Sequence, residues 1–519
     1  MTASISGWQA ALLTPEEMAE ADRLTIESGI AGIELMERAG EAVANAAAVL
    51  AEPGSSILVL CGPGNNGGDG FIAARCLAAS GYSVSVKLLK APDGLQGDAL
   101  EAFQRMNLPY SIAVEEARVA SDLVAALDEA DLVIDALFGA GLDRDLTGAA
   151  AELVATVNRS GKPVLAVDLP SGVEGAGGTV RGEAIRACAT KTFFREKPGH
   201  LLYPGKAHCG PVEVADIGIK PDILDRIAPA TFNNGPDLWK AAWPSPDPSG
   251  HKYMRGHAIV FGGPVAATGA ARLAAGAALR AGAGLVTLAS PPDALMVNAC
   301  HLTAVMLKKV AGPDGIRSLL TDPRLNAVLI GPGYGVGERA RASVEAILDA
   351  GRATVLDADA LTSYSTDPQA LFMKLEGRAA PVVVTPHEGE FARLFPDIAG
   401  DRLARGRKAA ARAGAVVILK GPDTVVAAPD GRAAINGNAP PFLATAGSGD
   451  VLAGIVLALL AQGVPAFEAA CQAVWLHGEA GREAGPGLTA EDLAPALKSV
   501  LGRLWRNGPL KAEGHSFFL

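Results

Sequence analysis

The stretch CGPGNNGGDGFIAARCLAASG, Cys61 to Gly81, sets the fold class of the first half of the chain. It follows the apolar run Ile57–Leu60 and leads into an amphipathic segment that stops at Gly81. A short apolar run, a glycine-rich turn and a helical pattern closed by glycine read as one strand–loop–helix unit. The glycines between Gly62 and Gly70 let backbone N–H groups turn toward an anion at the helix start. The spacing is neither GxGxxG nor GxxxxGK[ST], so a redox dinucleotide fingerprint and a phosphate-binding P-loop both fit poorly. The loop reads instead as a holder for another phosphate-bearing ligand.

The same unit recurs outward from that stretch. SSILVLCG, YSVSVKLLK, DLVIDALFG (Asp131 to Gly139) and KPVLAVDLPSG (Lys162 to Gly172) read as strands, several ending in polar or glycine-rich loops. Strands alternating with helices argue for a doubly wound parallel sheet. The periodicity lapses between about Ile219 and Gly250, where PSPDPSG reads as linker. It restarts with GHAIVFGG, GLVTLAS, LNAVLIGPG, ATVLDADAL, PVVVTPHEGE and AVVILKG as strands, and TVVAAPDGRAAING as a hairpin around Pro-Asp-Gly. GAARLAAGAALRAGAG is a helix of small residues, built for close packing. The expected organisation is α/β in two domains, 1–222 and 247–510, with 223–246 as linker.

With 519 residues the chain exceeds one ordinary core. A net charge of −11 argues against a nucleic-acid or anionic-membrane surface, so neither is expected as a partner. Six cysteines without a CxxC pair, and an N-terminus without a basic and apolar leader, point to reduced thiols and a cytoplasmic protein. Val451–Ala461, the longest clean apolar run, is too short to span a bilayer, which needs roughly 20 residues. The cysteines and eight histidines form no convincing zinc constellation.

In open α/β sheets, ligands bind beyond the carboxyl ends of the strands. Three such ends carry unusual polar groups: Asn65, Asn66 and Asp69; Asp135 with FGAGLDRDLTG; and Asp168 followed by Ser171. Helix and turn capping explains one such loop, but three neighbouring strand ends favour a ligand site. GPGNNGGDGFIAAR, VIDALFGAGL and AVDLPSGV resemble the signatures of the NAD(P)H-hydrate epimerase family, over nearly all of residues 10–220. The resemblance implies a Rossmann-like domain that interconverts the R and S hydrates of NADH and NADPH at C6. It also implies a potassium ion on Asn66, Asp135 and Ser171. The substrate loops would be Asn65, Asn66, Gly67, Gly68 and Asp69, and Gly139, Ala140, Gly141, Leu142, Asp143, Arg144 and Asp145. Asp168 is expected to bind substrate and to be the acid/base group.

In the second half, AGSGDVLAG (Ala446 to Gly454) places glycines before a helix whose first turn presents free N–H groups. Asp450 stands in that anion-attracting turn. An N-cap is the bland explanation; a base that deprotonates a hydroxyl beside a phosphoryl group is the functional one. Other strand ends converge there: His387, Glu388 and Glu390; Asp357 and Asp359; Gly331 and Gly333. The acidic groups would suit Mg²⁺. The residues alone reach phosphoryl transfer to or from a small alcohol.

HKYMRGHAIVFGG, GPGYG, LDADAL, TPHEGEFARL, KGPDTVVAAPDG and LATAGSGDVLAGIVLALLAQG, in that order, resemble the ribokinase-like superfamily, within it the ADP/ATP-dependent NAD(P)H-hydrate dehydratases. The resemblance covers about residues 250–480. It implies that Lys420, Gly421, Pro422, Asp423, Thr424 and Gly449 contact ADP or ATP, and that Ala270, Gly333, His387 and Asp450 face the hydrated substrate. Asp450 would help the ring hydroxyl attack the terminal phosphate, and elimination of that phosphate would restore the double bond. The chain departs from the family pattern at Ala446, Ser448, Glu388 and Tyr253. One half would interconvert epimers and the other dehydrate the S form, so together they would return both to usable coenzyme. The competing reading is a ribokinase-like kinase of a vitamin-type alcohol with a non-catalytic N-terminal ligand-binding domain. A homo-oligomer is also expected.

Overall fold

The structure is a computed structural model describing residues 8–106, 110, 112–117, 119–245 and 247–507. The chain divides into two compact units. One spans Ala11–Thr231; the other takes Phe232 onward together with residues 8–10.

In the N-terminal unit, α1 (Pro15–Glu27) and α2 (Gly32–Leu50) precede the sheet. A capping box starts α1: Thr14 Oγ1 accepts the Glu17 N–H at 3.2 Å, and the Thr14 N–H reaches Glu17 Oε2 at 2.9 Å. The sheet elements follow in alternation: β1 (Ser56–Cys61), α3 (Asn65–Ala79), β2 (Ser83–Leu88), α4 (Gly97–Met106), β3 (Ala113–Glu116), α5 (Ser121–Glu129), β4 (Leu132–Ala136), α6 (Gly148–Ser160), β5 (Val164–Val167), β6 (Ala189–Phe193) and β7 (Val212–Ala215). The strand order is β3-β2-β1-β4-β5-β6-β7, parallel throughout. Buried strands β1, β4 and β5 carry nearly unbroken apolar runs because helices cover both faces. The expected doubly wound sheet is present.

The C-terminal unit is a second open sheet. Its strands are β8 (His257–Phe261), β9 (Leu285–Ser290), β10 (Met306–Lys309), β11 (Ala327–Ile330), β12 (Ala353–Leu356), β13 (Val382–Val384), β14 (Val416–Leu419), β15 (Val425–Ala427) and β16 (Ala433–Ile435). They lie in the order β16-β15-β14-β13-β12-β11-β8-β9-β10. Pairs from β14 through to β10 are parallel; β14–β15 and β15–β16 are antiparallel, the latter being the hairpin expected around Pro429-Asp430-Gly431. Two helices form the inner wall, α7 (Thr268–Arg280) and α8 (Ser448–Ala461). Nearly every residue of α8 is buried. A Cβ at Gly454 would collide with the Ala274 carbonyl, so the small-residue run of α7 is spent on a close helix–helix crossing inside the unit. The described residues of the segment expected as linker, 223–245, are folded: Trp239 is fully buried, and Asn234 donates from its backbone to Ile435 at 2.9 Å. The division between units falls at Thr231–Phe232 because this segment packs into the second core.

Candidate active sites

The parallel sheet of the N-terminal unit brings the loops after β1, β4 and β5 to one edge, around a cavity of about 550 Å³. Asn65 opens α3, so Asn65, Asn66 and Asp69 sit in its first turns. A Cβ at Gly62 would strike the Leu137 carbonyl, and one at Gly67 would strike the Gly62 carbonyl. Glycine there allows two strand-end loops to touch. Asn65, Asn66, Asp69, Gly139, Ala140, Gly141, Leu142, Asp143, Arg144 and Asp168 all line the cavity. Gly67, Gly68 and Asp145 are not part of its wall: Gly67 lies against Gly62, Gly68 against Met36 of α2, and Asp145 is exposed.

Asp168 is the best-held group in the cavity. It follows β5 with φ of 62°, a left-handed backbone that Asp tolerates at a modest cost. Its Oδ1 accepts from Lys197 Nζ at 2.6 Å and from Thr192 Oγ1 at 2.8 Å, and its Oδ2 accepts the Ala140 N–H at 3.0 Å. The Lys197 ammonium, 1 % exposed, also reaches Thr192 Oγ1 at 2.9 Å. His200 Nδ1 accepts the Lys197 N–H at 2.9 Å, which places its proton on Nε2, 2.8 Å from the Asp168 carbonyl. Burial pushes the His200 pKa down to about 4, so it stays neutral. Burial works to raise the Asp168 pKa, but the Lys197 charge and hydrogen bond outweigh it and hold the carboxyl at about 2. The carboxyl of the residue expected as acid/base group is thus paired with a buried ammonium, which favours its ionised form.

Sequence reading missed Lys197, Thr192, His200 and Asp22. Asp22, on α1, lines the same cavity, and burial pushes its pKa up to about 6. Asp69 is 8 % exposed, and burial with the nearby Asp168 and Asp22 carboxylates drives its pKa well above the usual range. No motif flags Lys197, which stands at the end of the charged run Arg195-Glu196-Lys197 after β6.

Of the three residues implied as potassium ligands, Asp135 and Ser171 are joined. Ser171 donates from Oγ to Asp135 Oδ1 at 2.6 Å and from its N–H to Oδ2 at 2.7 Å. Asp135 is 0 % exposed, and burial pushes its pKa up to about 6 against those hydrogen bonds. Asn66 borders Gly139 through its Oδ1 and has a buried Nδ2 without a partner. A buried carboxylate served only by neutral donors, beside a side-chain carbonyl oxygen and a hydroxyl, is a donor set that suits a hard monovalent cation.

In the C-terminal unit the ends of β12, β13 and β14 meet the start of α8. Gly447, at φ of 84°, caps α8 and lets Asp450 sit in its first turn. Lys420, after β14, donates to Asp357 Oδ1 at 2.8 Å, and Thr385 Oγ1 donates to the same oxygen at 2.7 Å. A Cβ at Gly449 would lie 3.5 Å from Lys420 Nζ, which puts the expected nucleotide residues Gly449 and Lys420 side by side. Burial pushes the Asp450 pKa up to about 6; Asp357 and Asp359 push the same way and Lys420 opposes them. Burial works against the Lys420 charge, yet Asp357, Glu390 and Asp450 together raise its pKa. Gly421 and Thr424 close the loop on each other, with the Gly421 N–H on Thr424 Oγ1 at 3.1 Å. Pro422 completes that turn, and Asp423 pairs with Arg402 Nε at 2.9 Å. Gly333 lies against Ala267 and Ala270, so two expected substrate residues, Gly333 and Ala270, adjoin.

His387 caps the short helix Glu388–Leu394. Its Nδ1 accepts the Gly389 and Glu390 N–H groups at 2.9 and 3.2 Å, which places the proton on Nε2 of a half-exposed ring, 3.6 Å from Glu390 Oε1. The expected acidic cluster is dispersed: Asp357 pairs with Lys420, Asp359 accepts the Gly335 N–H, Glu390 accepts the His387 N–H, and Glu388 pairs with Arg402 and Arg405. Among the described residues no three His, Cys, Asp or Glu side chains group as a metal cage. Ser448, one of the departures from the family pattern, keeps its hydroxyl 3.0 Å from buried His477 Nε2.

Comparison with known proteins follows the same division. Residues 258–501 match the family model described as NAD(P)H-hydrate dehydratase, and residues 32–199 match the YjeF-related protein N-terminus. The chain is 39 % identical, over 95 % of its length and 97 % of the relative's, to a bifunctional NAD(P)H-hydrate repair enzyme of Moorella thermoacetica. It is 36 % identical, over 96 % and 97 %, to the enzyme of the same description in Salinibacter ruber. The chain belongs to the bifunctional NAD(P)H-hydrate repair enzyme family. A solved ADP/ATP-dependent NAD(P)H-hydrate dehydratase of Bacillus subtilis, co-crystallised with ATP and Mg²⁺, is 28 % identical, with TM-score 0.47, over 53 % of this chain and 98 % of its own. In this repair-enzyme family member each matched region falls within one compact unit, and each unit carries one of the two constellations described above.

Proposed function

We propose that this chain repairs hydrated NADH and NADPH: the N-terminal unit interconverts the R and S hydrates at C6, and the C-terminal unit dehydrates the S form with ADP or ATP. The observation that carries the reading is full-length similarity to bifunctional repair enzymes, with both family regions in one polypeptide. The geometry supports it. The cavity of the N-terminal unit holds the Asp168 carboxylate, paired with Lys197, and the Asp69 carboxyl, whose pKa burial raises, an arrangement suited to moving a proton to and from a carbinol oxygen.

In the C-terminal unit, Asp450 stands at a helix start whose N–H groups favour transferring phosphate, and its pKa near 6 lets it act as a base at neutral pH. Lys420 and the Gly421–Thr424 turn would hold the nucleotide, while Ala270, Gly333 and the His387 Nε2 proton would face the hydrated ring. Asp450 takes the proton of the ring hydroxyl as it is phosphorylated; the C–O bond to phosphate then breaks, a proton leaves the adjacent ring carbon, and its electron pair forms the double bond. Mg²⁺ would arrive with the nucleotide phosphates and keep most of its waters, which accords with the dispersed acids. Potassium would sit on Asn66, Asp135 and Ser171 and supply positive charge beside the substrate. The six cysteines are free thiols, which supports a reducing compartment, the cytoplasm. Among the described residues no helix is long and apolar enough to cross a membrane. Self-association belongs to the same reading and is measured by sedimentation.

The test starts from a mixed-epimer NADH hydrate with Mg²⁺ and ADP or ATP, following recovery of the dihydronicotinamide absorbance and release of phosphate. Full recovery with free phosphate supports both activities and names the nucleotide. Recovery that stalls at the S fraction removes the epimerase half. A stable phosphorylated product without recovery replaces the reading with a kinase.

A further inference from the structure

Five aspartates line the cavity of the N-terminal unit, and three of them, Asp22, Asp69 and Asp168, act on one another electrostatically. Asp168 has both oxygens committed, to Lys197, Thr192 and the Ala140 N–H. Among the described residues Lys197 and Arg144 are the cations of that wall, and Lys197 pairs with Asp168. Asp22 comes from α1 and is half-buried. Asp69 comes from the second turn of α3, is nearly buried, and opens on the same space without a cation of its own. We propose that Asp69 is the proton donor and acceptor of the epimerisation, while Asp168 serves as the permanent anion facing the charge that develops on the substrate. The inference rests on the reading of this unit as an epimerase.

The chemistry follows from the substrate class, a ring carbon that carries a hydroxyl and adjoins a ring nitrogen. Asp69 gives its proton to the hydroxyl oxygen. The C–O bond breaks, its electron pair leaves with the oxygen, and water departs. The nitrogen lone pair forms the second bond to the carbon, and the resulting cation meets the Asp168 carboxylate. Water then attacks the flat carbon from either face, the nitrogen recovers its lone pair, and the extra proton returns to Asp69. Water and proton are both regenerated, and nothing is oxidised or reduced.

The groups around Asp69 favour its acid form. Burial acts first, and the Asp168 and Asp22 carboxylates add to it; Lys197 opposes them. The Cys61 thiol on β1 faces it too and is itself held protonated by burial and by Asp69. Asp168 cannot fill the donor role, since its ammonium partner keeps it ionised.

The experiment uses the full chain and the pure R hydrate without nucleotide, so that dehydration is silent, and separates the epimers chromatographically. The wild-type rate is expected to fall on an alkaline limb. Asp69→Asn should slow it by roughly 10²- to 10⁴-fold and abolish that limb. Asp22→Asn removes a repelling charge and should move the limb to lower pH. Retained folding of each variant is read from nucleotide-dependent dehydration of the S hydrate by the other unit and from thermal unfolding. Asp69→Asn with the wild-type rate, or slowed with the alkaline limb intact, overturns the proposal, as does an Asp22→Asn limb that stays or moves upward. Absence of epimerisation in the wild type overturns the epimerase reading itself and is distinguished from both.

Discussion

Asp450 provides a test in which two neighbours should push in opposite directions. Its pKa is held at about 6, first by burial, then by Asp357 and Asp359, with Lys420 pulling it down. As a base it must be ionised, so activity rises with pH. A group with pKa about 6 is roughly nine-tenths ionised near pH 7 and roughly one-tenth near pH 5, so the dehydration rate should fall about tenfold between them. Replacing Asp357 with Asn removes a repelling charge and should shift the midpoint to lower pH. Replacing Lys420 with Met removes an attracting charge and should shift it upward. Asp450→Asn should lose roughly 10²- to 10⁴-fold above the wild-type midpoint and flatten the pH dependence. The assay is single-turnover formation of dihydronicotinamide from S hydrate at saturating nucleotide, so that weakened nucleotide binding by the Lys420 variant does not move the midpoint. A rate independent of pH over this interval, or two variants whose midpoints move the same way, would refute the assignment of Asp450 as the base.

The Lys197–Asp168 pair makes a stability prediction: Lys197→Met leaves a buried carboxylate without its cation and should destabilise the N-terminal unit by about 3–5 kcal/mol in urea titrations. The Lys197→Met/Asp168→Asn double variant should regain much of that loss, and strict additivity would contradict the coupling. For potassium, the thermal midpoint of the N-terminal unit should rise in KCl relative to tetramethylammonium chloride, and Asp135→Asn should remove the difference. An equal response of wild type and variant would exclude Asp135 from the ion's ligands.

The central strands were legible because β1, β4, β5, β8 and β11 are buried on both faces and read as apolar runs. The edge strands were not. β3 and β10 are short and carry Glu115, Glu116, Lys308 and Lys309, as edges exposed to water do. β6 escaped notice for another reason. Its sequence, Ala-Thr-Lys-Thr-Phe, looks like a loop, yet Thr190 and Thr192 are buried, and Thr192 is there to hold Asp168 and Lys197. The segment 223–246 looked like linker from its prolines, but the indole of Trp239 finds its core only in the folded unit.

By itself the sequence determined the two parallel α/β units, the glycine loops at their strand ends, and the aspartates placed there. Period and glycine spacing are local properties, so they can be read along the chain. Tertiary structure alone decided what each aspartate does. A carboxyl keeps or loses its proton according to burial and the charges that face it, and those come from remote positions. Lys197, 29 residues from Asp168, makes that group a fixed anion. Asp22, from a helix before the sheet, helps keep the proton on Asp69. Lys420, 63 residues from Asp357, pairs with it and opposes the rise that burial and Asp357 impose on the Asp450 pKa.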